Sequence, residues 1–513
     1  MKATGGMAAV TAVSRFTGYL RDKTVTALLG AGMVTDAFIT AFRVPNMFRA
    51  FLAEGALHAA FIPTLAELKE NEDPEKQREF VRAMTSTLLL ILPVVVAVGI
   101  FAAPLLVRLF AEAFTQDPEK FALAVRLTRL MFPYLGLISL AALAQGVLNA
   151  SDRFLLPAAT PVALNLFMVA GTVTAVEVFH GSWAWLAVGV LAGGTAQFAV
   201  QWPACRRAGL PLIPGGGGFR HPEVRRVLLL MLPGIPALGV YQLTLLLSNR
   251  FAASAGSGGV TFVFFASRLN ELVYGVLIVQ LTTAVLPMLS ADRARDPESA
   301  RSTLGFAVRL LSFVALPAAV FAGVMATVIV GTAYGGHRFT LADVDATASA
   351  LTMYALGLPF LGLTKLLASA SYAWKDTRLP VVAATANLAV FYTLGVVLTP
   401  AHGVAGIAAA ASAGLVVNSS TLLVGNGIAR RLPRWIEVAP AVGRHLTAAA
   451  VTGLGLHVLR SAVRFPLVTS ATSVAMLVGT AGAAGAVYLL LLVLLGAEEW
   501  REVKQVVVRR INR

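Results

Sequence analysis

Long apolar runs separated by short polar breaks dominate the chain. The runs near 83–110, 156–179, 304–332 and 472–497 each extend past 20 residues with at most one charge. An α-helix rises about 1.5 Å per residue, so about 20 such residues cross the hydrocarbon core of a bilayer. Fourteen segments fit this reading: 7–30, 36–64, 83–110, 122–150, 156–179, 183–204, 227–253, 260–290, 304–332, 346–373, 379–399, 404–428, 438–460 and 472–497. The pattern predicts an all-α polytopic membrane protein of about 14 transmembrane helices. The first segment carries Arg15, Arg21, Asp22 and Lys23 inside a helical apolar frame that neighbouring helices can shelter.

Composition agrees with the pattern. Of 513 residues, 57% are hydrophobic and 13% charged. An ordinary soluble domain carries about 25% charge, so a soluble enzyme, a coiled coil and a disordered chain are excluded. One cysteine, Cys205, rules out an internal disulfide framework. The net charge of +15 reads as topology rather than nucleic-acid binding. Alternate loops, with the two ends, hold 24 lysines and arginines on one side against Lys120, Arg338 and Arg464 on the other. Cytoplasmic loops carry the basic excess, so both termini are expected to face the cytoplasm. The stretch from Cys205 to Arg226 holds Gly215–Gly218 between basic clusters and reads as a flexible cytoplasmic linker.

The chain also repeats itself. Pro133-Tyr134-Leu135-Gly136-Leu137 returns as Pro359-Phe360-Leu361-Gly362-Leu363, and Asn165-Leu166 as Asn387-Leu388. Gly32, Phe38, Asn46, Pro63 and Leu65 return 224 residues later as Gly256, Phe262, Asn270, Pro287 and Leu289. Two six-span copies of the same orientation follow, the parallel-repeat plan of many transporters, which places a substrate site between the halves. The expected organisation is a lobe over 1–210, a linker over 211–226, a second lobe over 227–432, two extra helices over 433–500 and a basic tail over 501–513.

Ionisable groups lie where lipid is expected. They are Arg15, Arg21, Asp22 and Lys23 in the first span; Asp36, Arg43, Arg49, Glu54 and His58 in the second; Arg268 and Glu271 in the eighth; and Lys365 in the tenth. A cation at the bilayer centre costs about 2.5–3.5 kcal/mol even on the lenient insertion scale, so these groups must pair or face a watery cavity. Helical spacing pairs Arg15 with Asp22, Asp36 with Arg43 and Glu54, and Arg268 with Glu271. Arginine suits phosphate, with a permanent charge and a planar fork of donors. An anionic substrate fits the cationic excess. No P-loop, zinc-protease motif or metal-ligand spacing occurs in the sequence. Neither an enzyme activity nor a cofactor is expected, and any coupling ion stays unassigned. Asp343-Val344-Asp345 reads as a solvated outer loop.

The opening residues carry a resemblance. Ser14-Arg15-Phe16, Gly18, Arg21-Asp22, Gly30-Ala31-Gly32, Thr35-Asp36-Ala37-Phe38, Pro45-Asn46, Arg49 and Ala53-Glu54-Gly55-Ala56 closely resemble the start of the MurJ (MviN) family. Asn149, Arg153-Phe154, Pro157, Ser267-Arg268-Leu269, Glu271, Leu286-Pro287, Lys365 and Tyr372 extend it along nearly the whole chain. The resemblance implies a lipid II flippase of bacterial peptidoglycan synthesis, in the multidrug/oligosaccharidyl-lipid/polysaccharide exporter superfamily. A flippase for another polyprenyl-diphosphate-linked oligosaccharide is the alternative. Substrate binding would fall to Arg15, Arg21, Arg49 and Arg268. Charge pairing and gating would fall to Asp22, Asp36, Arg43, Glu54, Glu271 and Lys365. The last two spans would form a groove for the lipid tail. The implied partners are lipid II, membrane lipid and the cell-wall synthesis machinery, with no nucleic acid.

Overall fold

The computed structural model describes residues 2–52, 56–70, 73–232 and 234–497. Among these residues no named strand occurs and helices follow one another along the chain. They are α1 (Lys2–Leu29), α2 (Met33–Leu52), α3 (Ala56–Glu70), α4 (Pro74–Phe101), α5 (Ala103–Phe110), α6 (Pro118–Met131), α7 (Tyr134–Ala150), α8 (Leu155–Val173), α9 (Ala184–Arg207), α10 (Pro222–Met231), α11 (Gly234–Ser254) and α12 (Gly259–Val273). Then come α13 (Val279–Arg295), α14 (Pro297–Val324), α15 (Ala326–Tyr334), α16 (Leu341–Ala373), α17 (Arg378–Ile428), α18 (Trp435–Ala462) and α19 (Ala471–Leu494). Nine helical stretches among the described residues are long and apolar enough to cross a membrane.

The outside is apolar and the inside partly polar, the reverse of a water-soluble fold. Leu90, Val94, Val98 and Phe101 of α4 are exposed, as are Leu454 and Val458 of α18 and Val478, Leu490 and Leu494 of α19. Patches of that extent on a soluble surface would drive aggregation. In lipid they are the natural exterior. Buried hydroxyls meet the other demand of a bilayer, that every polar group be satisfied internally. Thr85, Thr128, Ser139 and Thr172 each donate to the carbonyl four residues earlier, at 2.7–2.9 Å.

The chain divides into two compact units, Met1–Thr261 and Phe262–Arg513. The division falls inside α12, beyond the 211–226 linker. α11, given to the second lobe by the sequence, packs within the first unit: Leu246 lies against the cluster of Val44, Phe110, Phe132 and Leu135. The linker itself is not loose. Ser86 of α4 donates to the Gly215 carbonyl at 3.0 Å and accepts from the Gly215 amide at 2.7 Å, and Leu210 and Leu212 are buried. Gly216 lets the backbone lie against α4, where a Cβ would meet the Glu79 carbonyl at 2.3 Å.

Within the first unit α8 and α9 approach through glycine. A Cβ on Gly171 would lie 2.6 Å from the Trp185 carbonyl, and one on Gly189 would lie 2.6 Å from the Phe167 carbonyl. Gly189 and Gly193 form the small-xxx-small spacing that lets membrane helices touch backbone to backbone. Gly189→Leu is therefore expected to reduce the folded protein in the membrane severalfold. Gly479→Leu in α19, where a Cβ meets nothing within 4 Å, is expected to be silent. Fluorescence size-exclusion of tagged variants measures both.

The two copies use the same proline differently. In the first, Phe132 and Pro133 separate α6 from α7; in the second, Pro359 sits inside the unbroken α16. α17 holds two expected spans in one 51-residue element, broken at Gly403 with φ +56° and ψ −133°. That backbone conformation favours glycine. The helix folds back there, so Asn387 meets Gly414 and Leu379 meets Gly425. Asp343 is no loop residue: it lies in the first turn of α16 and completes a capping box with the N-cap Thr340.

Candidate functional site

The structure disposes the expected charges in three groups and leaves others apart. The first group lies where α1 packs on α8. Arg21 donates to Asp22 Oδ1 through Nε at 2.9 Å and Nη2 at 2.6 Å, and through Nη1 to Asn165 Oδ1 at 3.1 Å. Both members of the pair are buried. Asp22 thus takes its immediate neighbour, and the expected Arg15–Asp22 pair does not form. Arg15 is exposed and has no ion pair or hydrogen bond among the described residues. A long arginine reaches an adjacent carboxylate once a neighbouring helix supplies Asn165 to hold the guanidinium.

The second group is the most buried. Asp36, fully buried on α2, forms an ion pair with Lys120 Nζ at 2.7 Å. It also accepts from the Gly258 amide at 2.9 Å, the Thr261 amide at 2.9 Å and the Thr261 hydroxyl at 2.7 Å. Asp36 therefore caps the N-terminus of α12 from another helix, where orphan amides and the helix dipole favour a carboxylate. Lys120 also lies over the Phe114 ring at 4.3 Å. The expected Asp36–Arg43 pair is replaced. Arg43 Nη1 donates instead to Asn249 Oδ1 at 3.1 Å, and Asn249 Nδ2 donates to Thr40 Oγ1 and the Phe110 carbonyl. Arg250, the next residue, forms an ion pair with Glu112. The sequence assigned Lys120 to an outer loop; it lies in the first turn of α6 and is buried.

The third group lies in the second unit. Arg268 and Glu271 of α12 form the expected i, i+3 ion pair at 3.3 Å, and the Arg268 guanidinium lies 5.2 Å from the Phe264 ring centre. A π-helical turn, Tyr274–Ile278, follows directly. Such turns break the regular ladder of a helix and recur at functional sites. Lys365 is exposed on α16, with no ion pair or hydrogen bond among the described residues. Arg49 is half-buried on the last turn of α2. Glu54 lies outside the described residues.

Among the charged pairs outside the spans is that of Asp376 and Arg431. Asp376 Oδ2 accepts from Arg431 Nη1 at 2.8 Å, and its Oδ1 accepts the Arg378 and Leu379 amides at 3.1 Å. The Arg431 hydrogen bond leads these contacts in holding the Asp376 carboxyl below the usual carboxylate range. A depressed acid contributes stability above its unfolded pKa and loses it as pH falls through the folded one. Thermal unfolding at successively lower pH is expected to show this loss below the ordinary carboxylate range, and Asp376→Asn to remove that part of the pH dependence.

These arrangements define a class: a helical membrane protein in which several charged residues are buried or paired among the helices. Solved structures agree on the fold. One described as "Lipid II flippase MurJ, inward closed conformation" superposes with a TM-score of 0.80 over 97% of this chain and 99% of that chain, at 22% identity. An inward-facing multidrug-resistance transporter of the MATE family in the MOP superfamily gives 0.66 over 81% of this chain and 94% of its own, at 13% identity. Sequence carries the assignment further. The model of the family described as "Lipid II flippase MurJ" matches residues 25–478. "Lipid II flippase MurJ" of Burkholderia cenocepacia is 36% identical over 439 residues, 83% of this chain and 84% of that protein. The chain belongs to the lipid II flippase MurJ family, and is a multi-pass protein of the bacterial inner membrane.

Proposed function

We propose that this chain carries lipid II from the inner to the outer leaflet, with the headgroup in a hydrated cationic cavity and the polyprenyl tail left in lipid. The carrying observation is the family match over residues 25–478. In this reading Arg15, Arg21, Arg49 and Arg268 bind the phosphates and acidic peptide of the headgroup. Asp22, Asp36, Arg43, Glu54, Glu271 and Lys365 balance charge as access alternates, and α18 and α19 hold the tail. Both termini face the cytoplasm, in line with the loop cations. Guanidinium replaces the phosphate solvation that bare lipid would remove.

No nucleotide hydrolysis is needed in this scheme. The membrane potential supplies about 2.3 kcal/mol per charge per 100 mV, enough to bias two states of comparable energy. An ion gradient would serve the same end. The cell-wall enzymes that consume lipid II outside are the expected downstream partners. The direct test is lipid II headgroup exposure at the outer face of bacteria depleted of their own flippase. Expression of this chain is expected to restore exposure and growth, and unchanged accumulation on the inner leaflet would overturn the reading.

A further inference from the structure

The buried amide of Asn165 has a use that the substrate reading leaves unassigned. Its side chain is buried in α8, and among the described residues its side-chain hydrogen bonds go to α1. Oδ1 accepts from Arg21 Nη1 at 3.1 Å. Nδ2 donates to Thr17 Oγ1 at 3.3 Å and to the Ser14 carbonyl at 3.4 Å. The carbonyl acceptor fixes the sense of the amide, because an oxygen in the place of Nδ2 would face the Ser14 oxygen. α1 is thus gripped at two successive turns and at the guanidinium by a single residue.

The consequence for Arg21 follows from counting donors. A guanidinium has five N–H groups. Asp22 takes one from Nε and one from Nη2, and Asn165 takes one from Nη1. One donor remains on each terminal nitrogen, the pair that can fork onto two oxygens of a phosphate. Without Asn165, Nη1 loses its anchor and the guanidinium is held only at the single Asp22 oxygen, about which it can pivot, so the two remaining donors are less well directed.

The second copy supports a specific use rather than a general packing one. Asn387 stands at the repeated position, but the register of 224 puts Leu245 and Leu246 where Arg21 and Asp22 stand. There the amide meets its own folded-back helix, with Oδ1 2.2 Å from where a Cβ on Gly414 would lie. The fold accepts this asparagine without a charge pair, and the first copy adds one.

We propose that Asn165 is a positioning residue for substrate recognition: it holds the Arg21 guanidinium so that its two remaining donors meet a phosphate-bearing headgroup together. This rests on the reading of Arg21 as a headgroup ligand. The test is transport of lipid II by the full chain in proteoliposomes, with thermal unfolding measured on the same preparations. Asn165→Leu keeps the volume and removes every hydrogen bond, and Asn165→Asp keeps the acceptor but turns an oxygen toward Ser14. Both are expected to raise the half-saturating lipid II concentration about tenfold, with a smaller change in maximal rate. Thr17→Val, which removes one anchor of the amide and leaves Asn165 in place, is expected to shift the same constant less and to stay folded if the stronger variants do not. Arg21→Gln separates the two claims. If Arg21→Gln transports like the wild type, the ligand reading fails. If Arg21→Gln is impaired while folded Asn165 and Thr17 variants keep the wild-type half-saturation, the positioning role alone is overturned. A lowered melting temperature with unchanged transport constants also overturns it.

Discussion

Lys120→Met is expected to be among the most damaging single substitutions in this chain. It leaves the Asp36 carboxylate fully buried with its hydrogen-bond donors but without its counter-charge. Removing one partner of a buried ion pair costs about 3–5 kcal/mol, because the other charge stays desolvated. The melting temperature of the purified protein should fall sharply, and the amount in the membrane with it. The double substitution Asp36→Val with Lys120→Met is expected to recover only part of that stability, because it removes the stranded charge but leaves the Gly258 and Thr261 donors unpaired. Apolar pairs often replace buried ion pairs at little cost. The second copy already places a fully buried valine, Val260, 224 residues after Asp36. Transport should not recover with stability, because the Gly258 and Thr261 amides lose their cap and the start of α12 is released from α2. A double variant that both melts and transports like the wild type would reduce the pair to filler.

The second large effect separates transport from folding in the other direction. Arg268→Ala and Arg49→Ala are each expected to abolish growth rescue of flippase-depleted cells while the protein still accumulates in the membrane. For Arg268 the expectation rests on energetics. Its ion pair with Glu271 is well exposed, and pairs of that kind contribute about 0–1 kcal/mol to stability. That pair therefore contributes little to folding, and its loss should show in transport. Quantitative immunoblotting of membranes beside the growth assay distinguishes the outcomes. Loss of the protein itself would return Arg268 to a structural role, and normal growth would remove it from the headgroup site.

Local pattern made much of this legible. The apolar runs, the repeat, the Pro-Gly punctuation and the i, i+3 pair of Arg268 and Glu271 all depend on neighbours along the chain, and those are present in any sequence. The i, i+7 pairings failed for a physical reason. Seven residues along an α-helix separate two side chains by about 10 Å, so a nearer partner wins, whether next in sequence, as Arg21 is for Asp22, or on another helix. Asp36 found Lys120 across 84 positions, and Arg21 found Asn165 across 144. Composition makes the 211–226 stretch read as flexible, whereas its hydrogen bonds to Ser86 of α4 depend on what lies beneath it.

Three helix starts show where the boundary falls. Asp73-Pro74-Glu75, Asp117-Pro118-Glu119 and Asp296-Pro297-Glu298 share a capping aspartate, a proline in the first turn and an acid near the positive end of the dipole. The sequence alone determines these starts, because a cap is satisfied by amides within three residues of it. It even repeats the next residue, lysine, in the first two. Yet Lys76 reaches back to its own cap Asp73 at 2.9 Å in solvent, and Lys120 turns away to a buried carboxylate on α2. Only the tertiary structure decides between those fates. The choice depends on whether a second helix brings a desolvated charge within reach, and a charge without water is worth far more to a lysine than one with it.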